Sequence, residues 1–149
     1  ETQKLIPSPA VDNFANAPEL SAQKITDAVL ASLRTDPCDF YLINYANADM
    51  VGHSGNFSST VRAVECLDEQ LKQLYEQLVV HMNGILIITA DHGKAEKMRD
   101  ESTGLPFPGH TTNKVPFLLI STDLKNIKLD LPLHELADVA GLILKLLCV

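Results

Sequence analysis

Asp49 and His53 stand four residues apart in Asp-Met-Val-Gly-His, Asp91 and His92 adjoin in Ala-Asp-His-Gly, and His110 opens His-Thr-Thr-Asn. Two carboxylates and three imidazoles, with no thiolate among them, form a donor set that suits Mn²⁺, Zn²⁺ or Mg²⁺ in hydrolytic or phosphoryl-transfer chemistry. The spacing of Asp49 and His53 allows a shared helical turn or a tight loop, and either turns carboxylate and imidazole toward one ion. Gly93, lacking a Cβ, lets the backbone crowd that ion. Each motif alone is more often a solvated turn; together, in order and at the ends of predicted strands, they mark a metal site. Thr111, Thr112 and Asn113 either orient His110 through hydrogen bonds or cap the strand that follows, and both readings stand. His81 and His134 belong to no motif and read as structural or surface histidines.

The elements that must position these residues alternate. Ser21 can cap a helix over residues 21–35, whose apolar Ile25, Val29, Leu30 and Leu33 recur at helical spacing. Residues 40–45, Phe-Tyr-Leu-Ile-Asn-Tyr, read as a short buried strand. From 58 to about 80, Val61, Val64, Leu67, Leu71, Leu74 and Leu78 alternate three and four apart, which predicts a long amphipathic helix with that stripe inward. Asn83-Gly84 ends it, and residues 85–90 predict a second strand. A loop over 93–114, rich in Gly, Pro, Ser and Thr, leads to a third strand at 115–121 and a closing helix at 135–147. Strands separated by helices imply an α/β fold, a largely parallel sheet with helices on both faces, and motifs meeting at the carboxyl ends of its strands. Three strands make a thin sheet for this class, so its first strands are expected elsewhere.

The 149 residues bury one ordinary core, and 46% hydrophobic with 21% charged residues is the balance of a globular domain. A formal charge of −7, with no Lys/Arg cluster to offset it locally, argues against nucleic acid and anionic lipid as partners. No apolar run approaches the roughly 20 residues that span a bilayer, and the first residues do not read as a signal peptide. Cys38, Cys66 and Cys148 are odd in number and outside any C-x-x-C pattern, which reads as reduced thiols in a cytoplasmic protein.

The sequence resembles the cofactor-independent phosphoglycerate mutases of the alkaline phosphatase superfamily. The resemblance rests on Ile6-Pro-Ser-Pro, Pro18-Glu-Leu-Ser, Asn44-Tyr-Ala-Asn-Ala-Asp-Met-Val-Gly-His-Ser-Gly, Ile88-Thr-Ala-Asp-His-Gly with Ala95-Glu96, and His110-Thr-Thr-Asn followed by Val115-Pro-Phe. It runs nearly end to end. It implies residues 1–149 as the C-terminal portion of a metal-binding, phosphatase-like domain holding two Mn²⁺, with Zn²⁺, Co²⁺ or Mg²⁺ as substitutes. Asp49, His53 and His110 would hold one ion, and Asp91 and His92 the other. The family completes the second ion with an Asp and a nucleophilic Ser that lie outside these residues, as does the inserted domain that binds substrate. The implied reaction interconverts 3-phosphoglycerate and 2-phosphoglycerate through a phosphoserine, in a full-length protein expected to be a monomer with a small-molecule phosphoglycerate as its partner.

Three positions depart from the family pattern. Ala10 stands where the family has a Lys that contributes to the active site, and its methyl group donates nothing to phosphate. Lys94 replaces a usual Asn and Lys114 a usual Pro. Lys94 is either a cation for the phosphoryl group or a solvated surface residue. Two other functions fit the same residues: a non-enzymatic metal-binding module, and a phosphatase of the same superfamily that releases the group to water.

Overall fold

The computed structural model describes residues 1–123 and 135–147. A 3-10 turn, Phe14–Asn16, leads to α1 (Ala22–Thr35), α2 (Asn47–Gly52) and α3 (Phe57–Leu74). A π-helical segment, Tyr75–His81, continues α3, and β1 (Leu86–Thr89), β2 (Phe117–Ile120) and α4 (Asp138–Leu146) complete the order. Among the described residues no helix is long and apolar enough to cross a membrane.

α1 begins where the sequence places it, yet Ser21 does not cap it with its side chain. Its hydroxyl donates instead to the Pro7 carbonyl at 2.7 Å, which ties the Pro-punctuated entry to the helix. Ala22, Thr26 and Leu33 form the buried face, with Thr26 and Tyr45 sharing a hydrogen bond between hydroxyls at 2.7 Å. Burial pushes the Tyr45 phenol pKa up, and the Thr26 bond opposes that shift. α3 starts one residue earlier than expected because Asn56 caps it, accepting the Ser59 N–H at 3.1 Å. α1 and α2 both pack on α3.

The predicted inward stripe of α3 is corrected. Thr60, Ala63, Cys66, Gln70 and Leu74 are its buried residues, whereas Phe57, Val61 and Val64 are exposed. The buried line sits about a quarter-turn around the helix from the apolar one at 100° per residue. Small residues let α1 and α2 approach closely, and of the predicted stripe Val61 and Val64 face outward, Leu67 and Leu71 are half-buried and Leu74 is buried. Gln70 is satisfied in its buried place by donating to the Gln23 amide oxygen at 3.2 Å.

Two expectations about the sheet also change. Residues 40–45 form no strand; Leu42 is 87% exposed and the segment has no strand partner among the described residues. β1 and β2 pair antiparallel, Leu86 opposite Ile120 and Thr89 opposite Phe117, rather than parallel. Parallel neighbours need a crossover, usually helical, and residues 90–116 contain no helix, so the chain simply turns back. The closing helix begins at Asp138, later than read, while His134 and Cys148 lie outside the described residues. Of the remaining thiols, Cys38 is exposed and Cys66 buried, both free.

Leu74, 1% exposed, anchors the end of α3. Leu74→Ala should cost about 2–5 kcal/mol, and Val64→Ala, on the outward stripe, no more than about 0.5 kcal/mol in this chain. Urea unfolding followed by circular dichroism measures both.

Candidate metal centre

α2 is too short to be stable by propensity alone, and tertiary bonds hold it. The buried Asn47 amide donates to the carbonyls of Pro18 and Glu19 at 2.8 and 2.7 Å, docking the first turn on the entry segment. Val51 and Gly52 are buried on the same helix. Asp49 and His53 therefore share a helical turn, the His53 N–H donating to the Asp49 carbonyl at 3.1 Å, which decides between the helix and the loop that the spacing allowed.

His110 arrives from the other side, on the long segment between the strands. Because β1 and β2 are antiparallel, the end of β1 and the start of β2 lie at one edge, and the segment that joins them delivers His110 there. His110 Nε2 lies 3.2 Å from Asp49 Oδ1, His53 Nε2 lies 3.3 Å from the same oxygen, and the two Nε2 atoms are 3.2 Å apart. Ligand atoms at about 2.1 Å from one ion stand roughly 3.0–3.4 Å from each other, so this triangle has the edge lengths of a coordination face. Asp49 Oδ1 is buried without a hydrogen-bond partner, a state in which a cation satisfies it. Asp49, His53 and His110 fit a metal ion, as their convergence within 4.8 Å also indicates.

Asp91 and His92 follow β1 as expected, but only His92 joins the cluster. Its ring stacks on His110 with centroids 3.7 Å apart and planes 15° apart. His92 Nδ1 is a second buried atom without a partner. Asp91 is 89% exposed, with Oδ1 3.5 Å from His92 Nε2, so these residues form an adjoining, more open pair of donors. The structure gathers Asp49, His53 and His110, stacks the His92 ring against His110, and leaves Asp91 at the rim.

Lys94 corrects the solvated reading: it is 3% exposed. Its Nζ donates to the Phe107 carbonyl and, at 2.9 Å, to the Gly109 carbonyl. Burial pushes its pKa down, opposed by the carboxylates of Asp49 and Glu96. Glu96 and Asn47 are the residues that sequence reasoning passed over. Glu96 accepts from the hydroxyl of Thr111 and, at 3.0 Å, from the Asn113 amide. Thr111 and Asn113 thus brace Glu96 rather than bonding the His110 ring. Gly93 sits under this brace, its carbonyl accepting the Thr111 N–H at 2.7 Å, and a Cβ there would overlap both Thr111 Oγ1 and Glu96 Oε1. The glycine is required by Glu96 and Thr111 before any ion is considered. An acidic residue three positions after the glycine of Asp-His-Gly was the available signal.

The Thr111 bond, with smaller help from Asn113, holds the Glu96 pKa below its ordinary value. A depressed carboxylate pKa contributes stability above the unfolded value and loses it as pH falls through the folded one. Thr111→Val should therefore lower the urea midpoint of the metal-free chain at neutral pH. The gap from wild type should close as pH drops below the ordinary glutamate range, and a pH-independent gap contradicts the assignment. Asp100 behaves likewise in its turn. Its carboxyl, bonded first by the Ser102 hydroxyl and then by the Thr103 and Ser102 N–H groups, is held at about 2.

The family model described as the metalloenzyme superfamily matches residues 1–149. A 2,3-bisphosphoglycerate-independent phosphoglycerate mutase of Clostridium novyi (strain NT) is 47% identical over 129 residues, covering 87% of this chain and 25% of that protein. One from Pseudomonas fluorescens (strain Pf0-1) is 45% identical over 150 residues, covering 99% and 28%. The crystal structure of Leishmania mexicana phosphoglycerate mutase at low cobalt concentration superimposes with a TM-score of 0.84 at 34% identity, over 98% of this chain and 29% of that one. The chain thus spans little more than a quarter of the length of the relatives it matches. The chain belongs to the metalloenzyme superfamily, and the relatives it resembles at 45–47% identity are named 2,3-bisphosphoglycerate-independent phosphoglycerate mutases.

Proposed function

We propose that these residues are the C-terminal portion of the metal-binding domain of a phosphoglycerate mutase that interconverts 3-phosphoglycerate and 2-phosphoglycerate through a phosphoserine. The convergence of Asp49, His53 and His110 into one triangle of donors is the observation that carries this reading. Asp49, His53 and His110 would hold one Mn²⁺, and Asp91 and His92 would contribute to a second, with Co²⁺ a fitting substitute given the relative crystallised with cobalt. When bound, such ions neutralise phosphoryl oxygens and lower the pKa of a coordinated hydroxyl.

This chain's own part is to present donors in fixed geometry. Asp49 supplies the shared carboxylate oxygen, and the helical turn of α2 sets His53 beside it. The ring of His92 stacks on His110 and would offer its own unpartnered nitrogen to a second ion. Asp91, at the rim, would join His92 at the second ion. In this reading the nucleophilic Ser, which takes the phosphoryl group from one hydroxyl of the glycerate and returns it to the other, lies elsewhere in the polypeptide.

The fold supports a larger domain. Phe57, Val61 and Val64 are exposed on α3, and residues 40–45 are left without a strand partner among the described residues. An α/β domain with a broad parallel sheet would bury both.

Calorimetric titration of the chain with Mn²⁺ tests the centre. Wild type should bind, and Asp49→Ala or His53→Ala should weaken binding by more than the roughly 10–100-fold that loss of an outer partner costs. In the full-length protein His53→Ala should abolish the interconversion while leaving the circular dichroism unchanged. Undiminished turnover by that variant would refute the reading.

A further inference from the structure

The segment that carries His110 has no regular backbone of its own. Residues 93–114 contain only two isolated bridges, Gly93 with Thr111 and Arg99 with Pro106; the first ties the backbone just after His110, and no helix or strand holds the backbone just before it. A ligand on such a segment needs side-chain bonds to hold it within the fraction of an ångström that coordination tolerates. Lys94 supplies them.

Its ammonium donates to the carbonyls of residues 107 and 109, the second belonging to the residue immediately before His110. Nζ also lies 5.3 Å from the centre of the Phe107 ring, over its face. The other end of the side chain meets α2. Its stem lies against Gly52, the residue immediately before His53, so closely that a Cβ at position 52 would stand 3.3 Å from Lys94 Cγ. Lys94 itself follows His92 by two residues, and its own carbonyl accepts the Lys97 N–H at 3.0 Å, closing the turn beyond the Asp-His-Gly motif. One side chain therefore touches the backbone next to both histidines of the donor triangle while rooted in the third motif. An ammonium buried to this degree is costly unless its donors are used, and two carbonyls and a ring face use them.

We propose that Lys94 is a positioning residue of the metal centre, clamping the chain before His110 onto the chain before His53. The proposal rests on the metal-centre reading above and adds to it a role for a residue outside the ligand set. Lys94 touches carbonyls and a glycine, not the donor atoms, so it acts through His110 and His53. Loss of its donors frees residues 107–109 and, with them, one corner of the triangle.

The test is titration of the whole 149-residue chain with Mn²⁺ by calorimetry and with Co²⁺ by visible absorption, for wild type, Lys94→Met and Lys94→Arg. Lys94→Met keeps an apolar stem and removes the donors. It should bind Mn²⁺ about 10–100-fold more weakly and change the Co²⁺ spectrum as His110 leaves the ligand set. Lys94→Arg, which keeps the donors, should stay within a few-fold of wild type. Leu74→Ala controls for stability alone: it should lower the unfolding midpoint and leave the Co²⁺ spectrum unchanged. If Lys94→Met does not fold, Lys94→Gln, with one amide donor group, replaces it and should fall between wild type and complete loss. A folded Met or Gln variant with wild-type affinity and spectrum overturns the role of Lys94 alone. A wild-type chain that binds neither ion overturns this role and the metal centre together.

Discussion

Three donor atoms held 3.2–3.3 Å apart repel one another unless a proton or a cation lies between them, and that constraint is the one to which the surrounding structure answers. Two imidazole nitrogens and a carboxylate oxygen do not gather by attraction when all three are unprotonated. They gather because the backbone segments bearing them are fixed by bonds made elsewhere, and a cation or shared protons then relieve the crowding. The unpartnered Asp49 Oδ1 and His92 Nδ1 are the visible residue of that imposed proximity.

The imposition is hierarchical. Asp49 and His53 are set by one helical turn, the cheapest way to align two side chains, and Asn47 docks that turn on the entry segment. His110 has no such local device. Its place depends on Lys94 below, on Thr111 bridging to Gly93, and on Glu96 drawing Thr111 and Asn113 together. Short-range order thus holds two corners and long-range side-chain bonds the third, which makes the third corner the most easily disturbed.

The division explains what was legible in the sequence. Periodicity located α1 and α3 within a residue or two, and the four-residue spacing placed Asp49 with His53, because both signals are local. The partner of a strand is not local. Residues 40–45 have the composition of a buried strand and pair with nothing among the described residues, and the direction of β1 against β2 depended on the missing helix in the link between them. The buried face of α3 was hidden for a related reason: Thr60, Ala63 and Gln70 lie inward because α1 and α2 need close approach, not because those side chains are apolar. Lys94 resembled any surface lysine, since its burial depends on carbonyls more than a dozen residues away that no pattern announces.

The stretch at 40–45, unpaired among the described residues, has a colloidal consequence. A row of backbone donors and acceptors flanked by Phe40 and Leu42, both exposed, is a template on which another copy can add as a strand. Its residues are aromatic or branched for the most part and, within the six, carry no charge and no proline, the composition that favours edge-to-edge stacking. The formal charge of −7 opposes such association through long-range repulsion, which salt screens over about 8 Å at physiological ionic strength. Dispersal of free copies of the 149-residue chain is therefore opposed by that edge and by the exposed apolar residues of α3, and the repulsion that favours it weakens with salt and with every cation bound at the donor triangle.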